Sequence, residues 1–398
     1  MAMRSALIGI LAALFLFPQA SIGASASSRH SQDGRNSSSK CFPLLFSFGD
    51  SLTDTGNAQR IFPFEQNRAS HSPYGRTFFG RPRDRFSDGR LMIDFIAEAL
   101  GLPFLSPYVQ AVGSSFQHGV NFATSGATAT DITFLVPHTL GVQCYWLKKF
   151  KVEVQDARSN PVNTALLPDL NSFSKALYVV FIGGNDYNAR LFVYNMTIDQ
   201  LFDAVPVVVD EIGKRIEDLY AESARNFLIV NVPPVGCTPE LLTFFNHVDT
   251  NPEDYDSAGC FTPYNAVLEA HNDVLMDAVN RLRNVHPDGL FVYADYYRIT
   301  GDILRDPQNY GMEDVIHACC GTGGRYNFNV SSQCGSNSVV NGLPFTPPSC
   351  PNPAAAANWD GVHPTEAFTK IIASSFLQGR YIEPHDAFDH CHFDFSNF

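Results

Sequence analysis

The stretch Phe46-Ser47-Phe48-Gly49-Asp50-Ser51-Leu52-Thr53-Asp54-Thr55-Gly56-Asn57 decides how this chain is read. An apolar run over 43–48 stops at Gly49 and gives way to a polar turn. That is the pattern of a buried strand ending at a functional edge. Ser51 follows the strand directly, where its hydroxyl is offered to a cleft, and is the candidate nucleophile. A serine in a turn is most often only a turn residue, so the assignment needs support from the rest of the chain.

The same punctuation recurs downstream. Short, continuous β-branched and aromatic runs stand at 119–123, 176–182, 227–232 and 290–294. The first breaks at Thr124-Ser125-Gly126, the second at Gly183-Gly184-Asn185-Asp186 and the third at Pro233-Pro234. Helical periodicity lies between them at 91–100, 201–221 and 264–282, with a helix-like stretch at 143–150 and a last helix starting near Pro364. Strands alternating with helices predict an α/β fold whose parallel sheet is covered on both faces. In such a sheet the C-terminal strand ends share one edge, and ligands bind there. That edge collects Ser51, Gly126 and Asn185. Asp360 and His363, in Asn358-Trp359-Asp360-Gly361-Val362-His363, approach it from just before the last helix.

These residue types form a working set. A serine hydroxyl is a poor nucleophile at neutral pH and needs a base. His363 can take its proton and later protonate a leaving alcohol. Asp360, three residues earlier, can fix the imidazole tautomer across a tight turn. The backbone N–H groups of Ser51 and Gly126 and the side-chain amide of Asn185 are candidate donors to an oxyanion. Taken singly, each has a plainer use: a capping D-x-x-H, a turn glycine, a left-handed asparagine. Their joint placement at three strand ends and one pre-helix turn is what distinguishes them. Asp50, Asp54 and Asp186 read as carboxylates that brace turns. Tyr74 and Tyr187 read equally well as pocket walls or as packing. The His385, His390 and His392 cluster reads as tail, and neither a metal site nor a cofactor is expected.

Phe48-Gly49-Asp50-Ser51-Leu52, Gly119-x-Asn121-Phe122-Ala123 with Gly126-Ala127, Gly183-Gly184-Asn185-Asp186 and Trp359-Asp360-Gly361-Val362-His363 together resemble the blocks of the GDSL esterase/lipase family, within the SGNH hydrolase superfamily, and more narrowly its secreted plant members. Pro73-Tyr74-Gly75, 85–90, 233–237 and Cys319-Cys320-Gly321 fit as well, so the similarity covers nearly the whole chain after its leader. The resemblance implies a flavodoxin-like three-layer α/β/α sandwich with a central parallel sheet, the SGNH hydrolase fold. It also implies the roles given above to Ser51, Gly126, Asn185, Asp360 and His363. The G-x-S-x-G elbow of α/β-hydrolases is absent around Ser51.

Composition bounds the setting. The chain has 398 residues, 45% of them hydrophobic, with 33 Phe, enough for a sizeable core. A net charge of −13 argues against nucleic acid or an anionic membrane as the main partner. Residues 1–26 read as a signal peptide: Arg4, an apolar run over 7–17 too short to span a bilayer, then cleavage after Gly23 or after Ala26. Residues 27–40 read as a disordered leader, and 41–393 as a single hydrolase domain. No later run is long and apolar enough for integral membrane association. The expected destination is the secretory pathway: cell wall or apoplast, with Golgi lumen and vacuole sharing the same entry signal.

Secretion makes the nine cysteines candidates for disulfides. Cys237 and Cys260 bracket a polar loop. Cys319, Cys320, Cys334 and Cys350 would staple a Gly/Asn/Ser-rich stretch, and Cys41 and Cys391 would tie the two ends, leaving Cys144 free. The rival zinc reading lacks paired C-x-x-C units. Asn36, Asn195 and Asn329 stand in N-x-S/T sequons and are candidate glycan sites. The expected function is a serine carboxylic-ester hydrolase working through an acyl-enzyme on acetylated wall polysaccharide, lipid or acylated-metabolite esters. The alternatives are an acyltransferase with the same intermediate and a catalytically silent glycan-binding glycoprotein.

Overall fold

The computed structural model describes residues 41–62, 68–132, 136–159, 164–246, 251–340 and 343–398, without the side chains of 338–344. The expected signal peptide (1–26), leader (27–40) and sequon at Asn36 lie outside the described residues. The strands are β1 (Leu45–Gly49), β2 (Gly119–Asn121), β3 (Leu177–Phe181), β4 (Asn226–Val230) and β5 (Leu290–Ala294). They are followed by β6 (Asp314–Ala318), β7 (Ala356–Asn358) and β8 (Ile382–Glu383), with a separate two-stranded hairpin, Ser338–Val340 and Leu343–Phe345, between β6 and β7. The main sheet runs β8-β5-β4-β3-β1-β2. Strands β1 to β5 pair in parallel, and β8 adds an antiparallel edge to β5. The expected parallel sheet is therefore present, with one short strand that sequence pattern did not signal. A two-residue strand carries too little periodicity to be read.

Every core strand alternates between two apolar faces. Phe46, Phe48, Tyr178, Val180, Phe227, Ile229 and Phe291 enter one buried cluster. Leu45, Leu177, Val179, Leu228, Val230 and Val292 enter the other. Both faces of the pleat are thus committed to burial, which is why these strands read as continuous hydrophobic runs. The long helices are α1 (Met92–Ala99), α2 (Leu140–Ser159), α3 (Ile198–Ala221), α4 (Thr262–Val285), α5 (Tyr296–Arg305) and α6 (Glu366–Leu377). Helices α2, α3 and α4 cover the first face with Leu147, Val208, Ile212, Leu268 and Leu275. Helices α1, α5 and α6 cover the second with Phe95, Ile299, Ile372 and Phe376. This is a three-layer α/β/α sandwich. Helix α3 begins at a capping box between Thr197 and Gln200. Helix α6 begins one residue after the Thr365 cap, close to the expected Pro364.

The chain passes from β1 to β2 on one side and then from β2 to β3 on the other side of β1, so the end of β1 is a topological switch point. Two long irregular segments overlie this edge. The first, 56–90, has only short helical turns at Asn57–Ile61 and Arg68–Ser70 among its described residues. The second, 306–359, pairs β6 with β7 and is stapled by Cys319–Cys350 and Cys320–Cys334. Cys237–Cys260 and Cys41–Cys391 complete the expected disulfides, and Cys144 is free and buried. The last residues also pack: Asp394 N–H donates to Ala99 O at 2.9 Å, and the Phe398 ring meets Phe95 at 5.1 Å.

Candidate active site

Gly49 ends β1 at φ +156°, and a Cβ there would sit 2.3 Å from Phe181 O. Only glycine allows β1 and β3 to approach this closely at their ends. Gln143, buried on α2, clamps the same residue: Gly49 N–H donates to its Oε1 and its Nε2 donates to Gly49 O, both at 2.8 Å. The turn that follows is braced by carboxylates, as the sequence suggests. Asp50 Oδ1 accepts from Leu52 N–H at 3.0 Å. Asp54 accepts from the N–H groups of Gly56, Asn57, Ala58 and Ser125. Asn121 joins in by donating from Nδ2 to Thr53 O at 2.6 Å. Ser51 is thereby held past the strand on a turn with little freedom.

The segment 358–363 is folded by Asp360 and Asn358. Asp360 Oδ1 accepts from the N–H groups of Val362 and His363 at 3.0 and 2.8 Å, and Asn358 Oδ1 from Gly361 N–H at 2.7 Å. Asp360 Oδ2 is left for the imidazole, with His363 Nδ1 at 2.8 Å. On the opposite side of the ring, His363 Nε2 lies 2.8 Å from Ser51 Oγ. The Phe86 ring lies against His363 at 4.8 Å between centroids. Sequence reasoning placed Ser51, Asp360 and His363 on one edge, and they meet there within hydrogen-bond reach.

Asp360 has a second partner. Tyr74 OH donates to its Oδ2 at 2.6 Å. Tyr74 is fully buried, and burial and the neighbouring carboxylate push its phenol well above the ordinary range, so it remains a donor. For Asp360 itself, burial raises the pKa, but the His363 ring, Arg68 and the Tyr74 hydroxyl outweigh it and hold the carboxyl well below the usual range. Sequence alone left Tyr74 between pocket and packing, and gave no sign of Gln143. Tyr187 is a packing residue whose hydroxyl meets His271 Nδ1 at 2.8 Å. Asp186 braces a turn by accepting from the N–H groups of Ala129 and Thr130.

Asn185 lies in the short helix Gly184–Asn188, and its Nδ2 donates to Ala127 O at 2.9 Å. One hydrogen of that amide is so used and the other remains. Gly126 holds the turn between the same two strand ends at φ +79°. Among the described residues neither Ser51 N–H nor Gly126 N–H donates to a protein acceptor. A cavity of about 110 Å³ opens beside Ser51, Asn185 and His363, and Phe181, Val232, Tyr296, Leu304 and Phe368 wall it. Gly126 and Asp360 do not line it. Cys41, His390 and Cys391 cluster closely enough to suggest a metal site, but both sulfurs are committed to a disulfide. The arrangement is equipped for nucleophilic acyl chemistry: a hydroxyl, a base, a carboxylate behind the base, and unpaired N–H groups nearby.

Comparison with known proteins places the chain in a family. The family model for GDSL-like Lipase/Acylhydrolase matches residues 45–376. A GDSL esterase/lipase of Arabidopsis thaliana is 38% identical, over 88% of this chain and 92% of its own. An Arabidopsis thaliana protein named Alpha-L-fucosidase 3 is 37% identical, over 85% and 91%. An Esterase of Hevea brasiliensis is 36% identical, over 86% and 87%. Among solved structures, a phospholipase A1 from Streptomyces albidoflavus aligns over 84% of this chain and 96% of its own at 13% identity, with a TM-score of 0.33, too low to argue from. On the family match and these relatives, the chain belongs to the GDSL-like lipase/acylhydrolase family and is an ester hydrolase.

Proposed function

We propose that the chain is a secreted serine esterase in which Ser51 is the nucleophile, His363 the general base and acid, and Asp360 the carboxylate that orients it. The observation that carries this reading is the relay of two 2.8 Å contacts, Ser51 Oγ to His363 Nε2 and His363 Nδ1 to Asp360 Oδ2. Ser51 Oγ attacks the ester carbonyl carbon while His363 Nε2 takes its proton. The oxyanion accepts from Ser51 N–H, Gly126 N–H and Asn185 Nδ2. The C–O bond to the alcohol then breaks as His363 returns the proton to it. Water repeats the sequence on the acyl-enzyme, releasing the acid and restoring Ser51 Oγ–H.

The substrate classes in view are acetylated wall polysaccharide, lipid esters and acylated metabolites. Transfer of the acyl group to an acceptor alcohol differs only in what replaces water. A catalytically silent glycan-binding role is disfavoured, because binding has no use for a nucleophile and base in contact. The glycosidase name of one relative is not followed either. Glycosidases place two carboxyl groups about the bond, and Asp50 is the one carboxyl lining the cavity among the described residues. Four disulfides suit an oxidising compartment, and no described helix is long and apolar enough to cross a membrane. Asn195 and Asn329 are exposed, as glycan acceptors must be. A fluorophosphonate probe tests the assignment: wild-type protein is labelled and Ser51→Ala is not. Equal labelling of both would overturn it. New ester formed in the presence of an acceptor alcohol, with little free acid, would favour transfer over hydrolysis.

A further inference from the structure

We infer that the cavity beside Ser51 seats the leaving alcohol, and that Asp50, Asn188 and Asn358 read free hydroxyls on it. The inference rests on Ser51 being the nucleophile and adds a substrate class to it: esters of a small polyol, the size of glycerol, that keeps neighbouring hydroxyls free.

Each of the three side chains lines the cavity and holds one polar atom with no protein partner among the described residues. Asp50 Oδ1 accepts from Leu52 N–H at 3.0 Å, which leaves Oδ2. Asn188 Oδ1 accepts from Tyr264 OH at 2.6 Å, which leaves Nδ2. Asn358 Oδ1 accepts from Gly361 N–H at 2.7 Å, which again leaves Nδ2. In each case the engaged oxygen anchors the group and aims the free atom. The residues are only 5%, 7% and 8% exposed, so the surface they keep is turned to the cavity.

The other polar side chains of the lining are accounted for as follows. Thr238 Oγ1 donates to Val235 O at 2.8 Å, and Ser51 and His363 meet each other. Asn185 serves the oxyanion through Nδ2 and leaves Oδ1 as a further acceptor. Thr300 Oγ1 has no partner but is sealed below the cavity surface, out of a guest's reach. The Tyr296 hydroxyl is unpaired and can donate or accept.

The free atoms define the guest. Two amide N–H groups call for two acceptor oxygens. Burial lifts the Asp50 pKa to about 7, so near neutral pH this carboxyl meets a guest either ionised or protonated. A hydroxyl serves both forms, donating to the carboxylate or accepting from the acid, whereas an ammonium would serve only one. Two hydroxyls on neighbouring carbons satisfy all three side chains, and the apolar wall of Phe181, Val232, Leu304 and Phe368 takes the carbons. A cavity of roughly 150 Å³ holds a six-carbon ring, so about 110 Å³ takes approximately four or five non-hydrogen atoms. Glycerol without its esterified oxygen is of that size, and a pyranose is about twice as large.

His363 decides that the alcohol, and not the acyl group, enters here. The leaving oxygen must reach His363 Nε2 to collect its proton. His363 lines the cavity with its chain neighbours Val362, Pro364 and Asn358, whereas the oxyanion donor Gly126 does not. An alcohol bonded to that oxygen extends along the wall that carries Asn358.

The test measures kcat/KM for propyl acetate, 2,3-dihydroxypropyl acetate and methyl 2-O-acetyl-β-xylopyranoside, with acid release followed by titration. Each value is divided by the ester's alkaline hydrolysis rate constant, which removes the intrinsic difference between leaving groups. The dihydroxypropyl ester is expected to exceed both others by about tenfold or more. Asn188→Ala and Asn358→Ala should each cut its ratio to propyl acetate severalfold. The ratio is read within each variant, so a general loss of activity cancels, and if either variant fails to fold the wild-type ratios still decide. A wild-type ratio near one would overturn the inference, as would a xyloside that matches the dihydroxypropyl ester. So would variants that keep the full wild-type ratio while both esters decline together, the mark of a structural role. Ser51→Ala should be inactive on every ester. Activity in that variant would remove the nucleophile assignment, and this inference with it, whereas a missing preference alone would leave the nucleophile standing.

Discussion

Tyr74 and Asp360, 286 positions apart in the chain, are joined by a 2.6 Å hydrogen bond from the phenol to the same carboxylate oxygen that faces His363. The irregular segment over the sheet edge thus contributes directly to the relay. A carboxylate that holds an imidazole must stay ionised and correctly aimed, and Tyr74 serves both needs. It is a positioning residue, acting through Asp360.

Tyr74→Phe should lower kcat severalfold with KM little changed, and should cost roughly 1.5–3 kcal/mol of stability, the range for a hydrogen bond to a charged group. The sign with pH follows from the depressed Asp360 pKa. A carboxyl that ionises more readily in the folded state stabilises above its unfolded value of ~3.9, and that contribution is lost as pH falls below it. The Tm difference between wild-type and Tyr74→Phe should therefore be steady from about pH 5 to 8 and shrink below about pH 4. Thermal scans across that range check it, and a difference that grows in acid would contradict it.

Asp50 behaves in the opposite sense. Burial pushes its pKa up to about 7, although the Leu52 N–H and His363 pull it down. Burial also raises Asp88, to about 6. A carboxyl whose folded value is raised favours the folded state below its unfolded value, and the advantage disappears as pH climbs through the folded value. Stability should decline between about pH 4 and pH 7. Asp50→Asn, which keeps an oxygen for Leu52 N–H, should flatten part of that decline. Its Tm relative to wild type should rise from pH 5 to pH 8. A constant offset would mean Asp50 does not titrate in this window.

Asn185→Ala should lower kcat by a factor of about 10²–10³ with a small change in KM, because an oxyanion donor acts mainly in the transition state. Steady-state kinetics on one ester suffice. A loss confined to KM would assign Asn185 to substrate binding instead.

Gln143→Ala should unpair the N–H of Gly49, which donates to Gln143 Oε1 at 2.8 Å, whereas Gly49 O keeps Thr124 N–H at 3.0 Å. Each buried group left unsatisfied costs about 1–3 kcal/mol. Chemical denaturation should report a loss of that order, and kcat should fall because the clamp carries the Ser51 turn. Full activity with full stability would show that the clamp is dispensable.

The edge of the sheet was legible because β1 and β3 end where an apolar run meets glycine: Gly49 after Phe48, Gly183 after Ile182. Local pattern specifies such boundaries, and the parallel topology then brings their ends together. Ser51 could be read from such a strand end, Asp360 and His363 from the turn before the last helix, and the Cys237–Cys260 pairing from the polar loop it brackets, whereas the pairing among Cys319, Cys320, Cys334 and Cys350 was open in the sequence. Tyr74 and Gln143 could not be read. Their partners lie 286 and 94 positions away, and nothing in their own neighbourhoods distinguishes a brace from a packing residue. Helix α5 was also missed, because Tyr296-Tyr297-Arg298-Ile299-Thr300 mixes β-formers with charge and its start is fixed by Asp295 accepting from Arg298 N–H. Gly126 was placed at the correct edge, yet the cavity extends away from it, on the side of Asn185 and His363.

The most direct measurement is to mix enzyme with excess ester, quench in acid within milliseconds to seconds, and map the adduct by peptide mass spectrometry. The account predicts an acyl mass increment on the peptide carrying Ser51, absent from Ser51→Ala and persisting longer in His363→Ala if any forms there. An increment on a different residue, or turnover in Ser51→Ala at the wild-type rate, would contradict it.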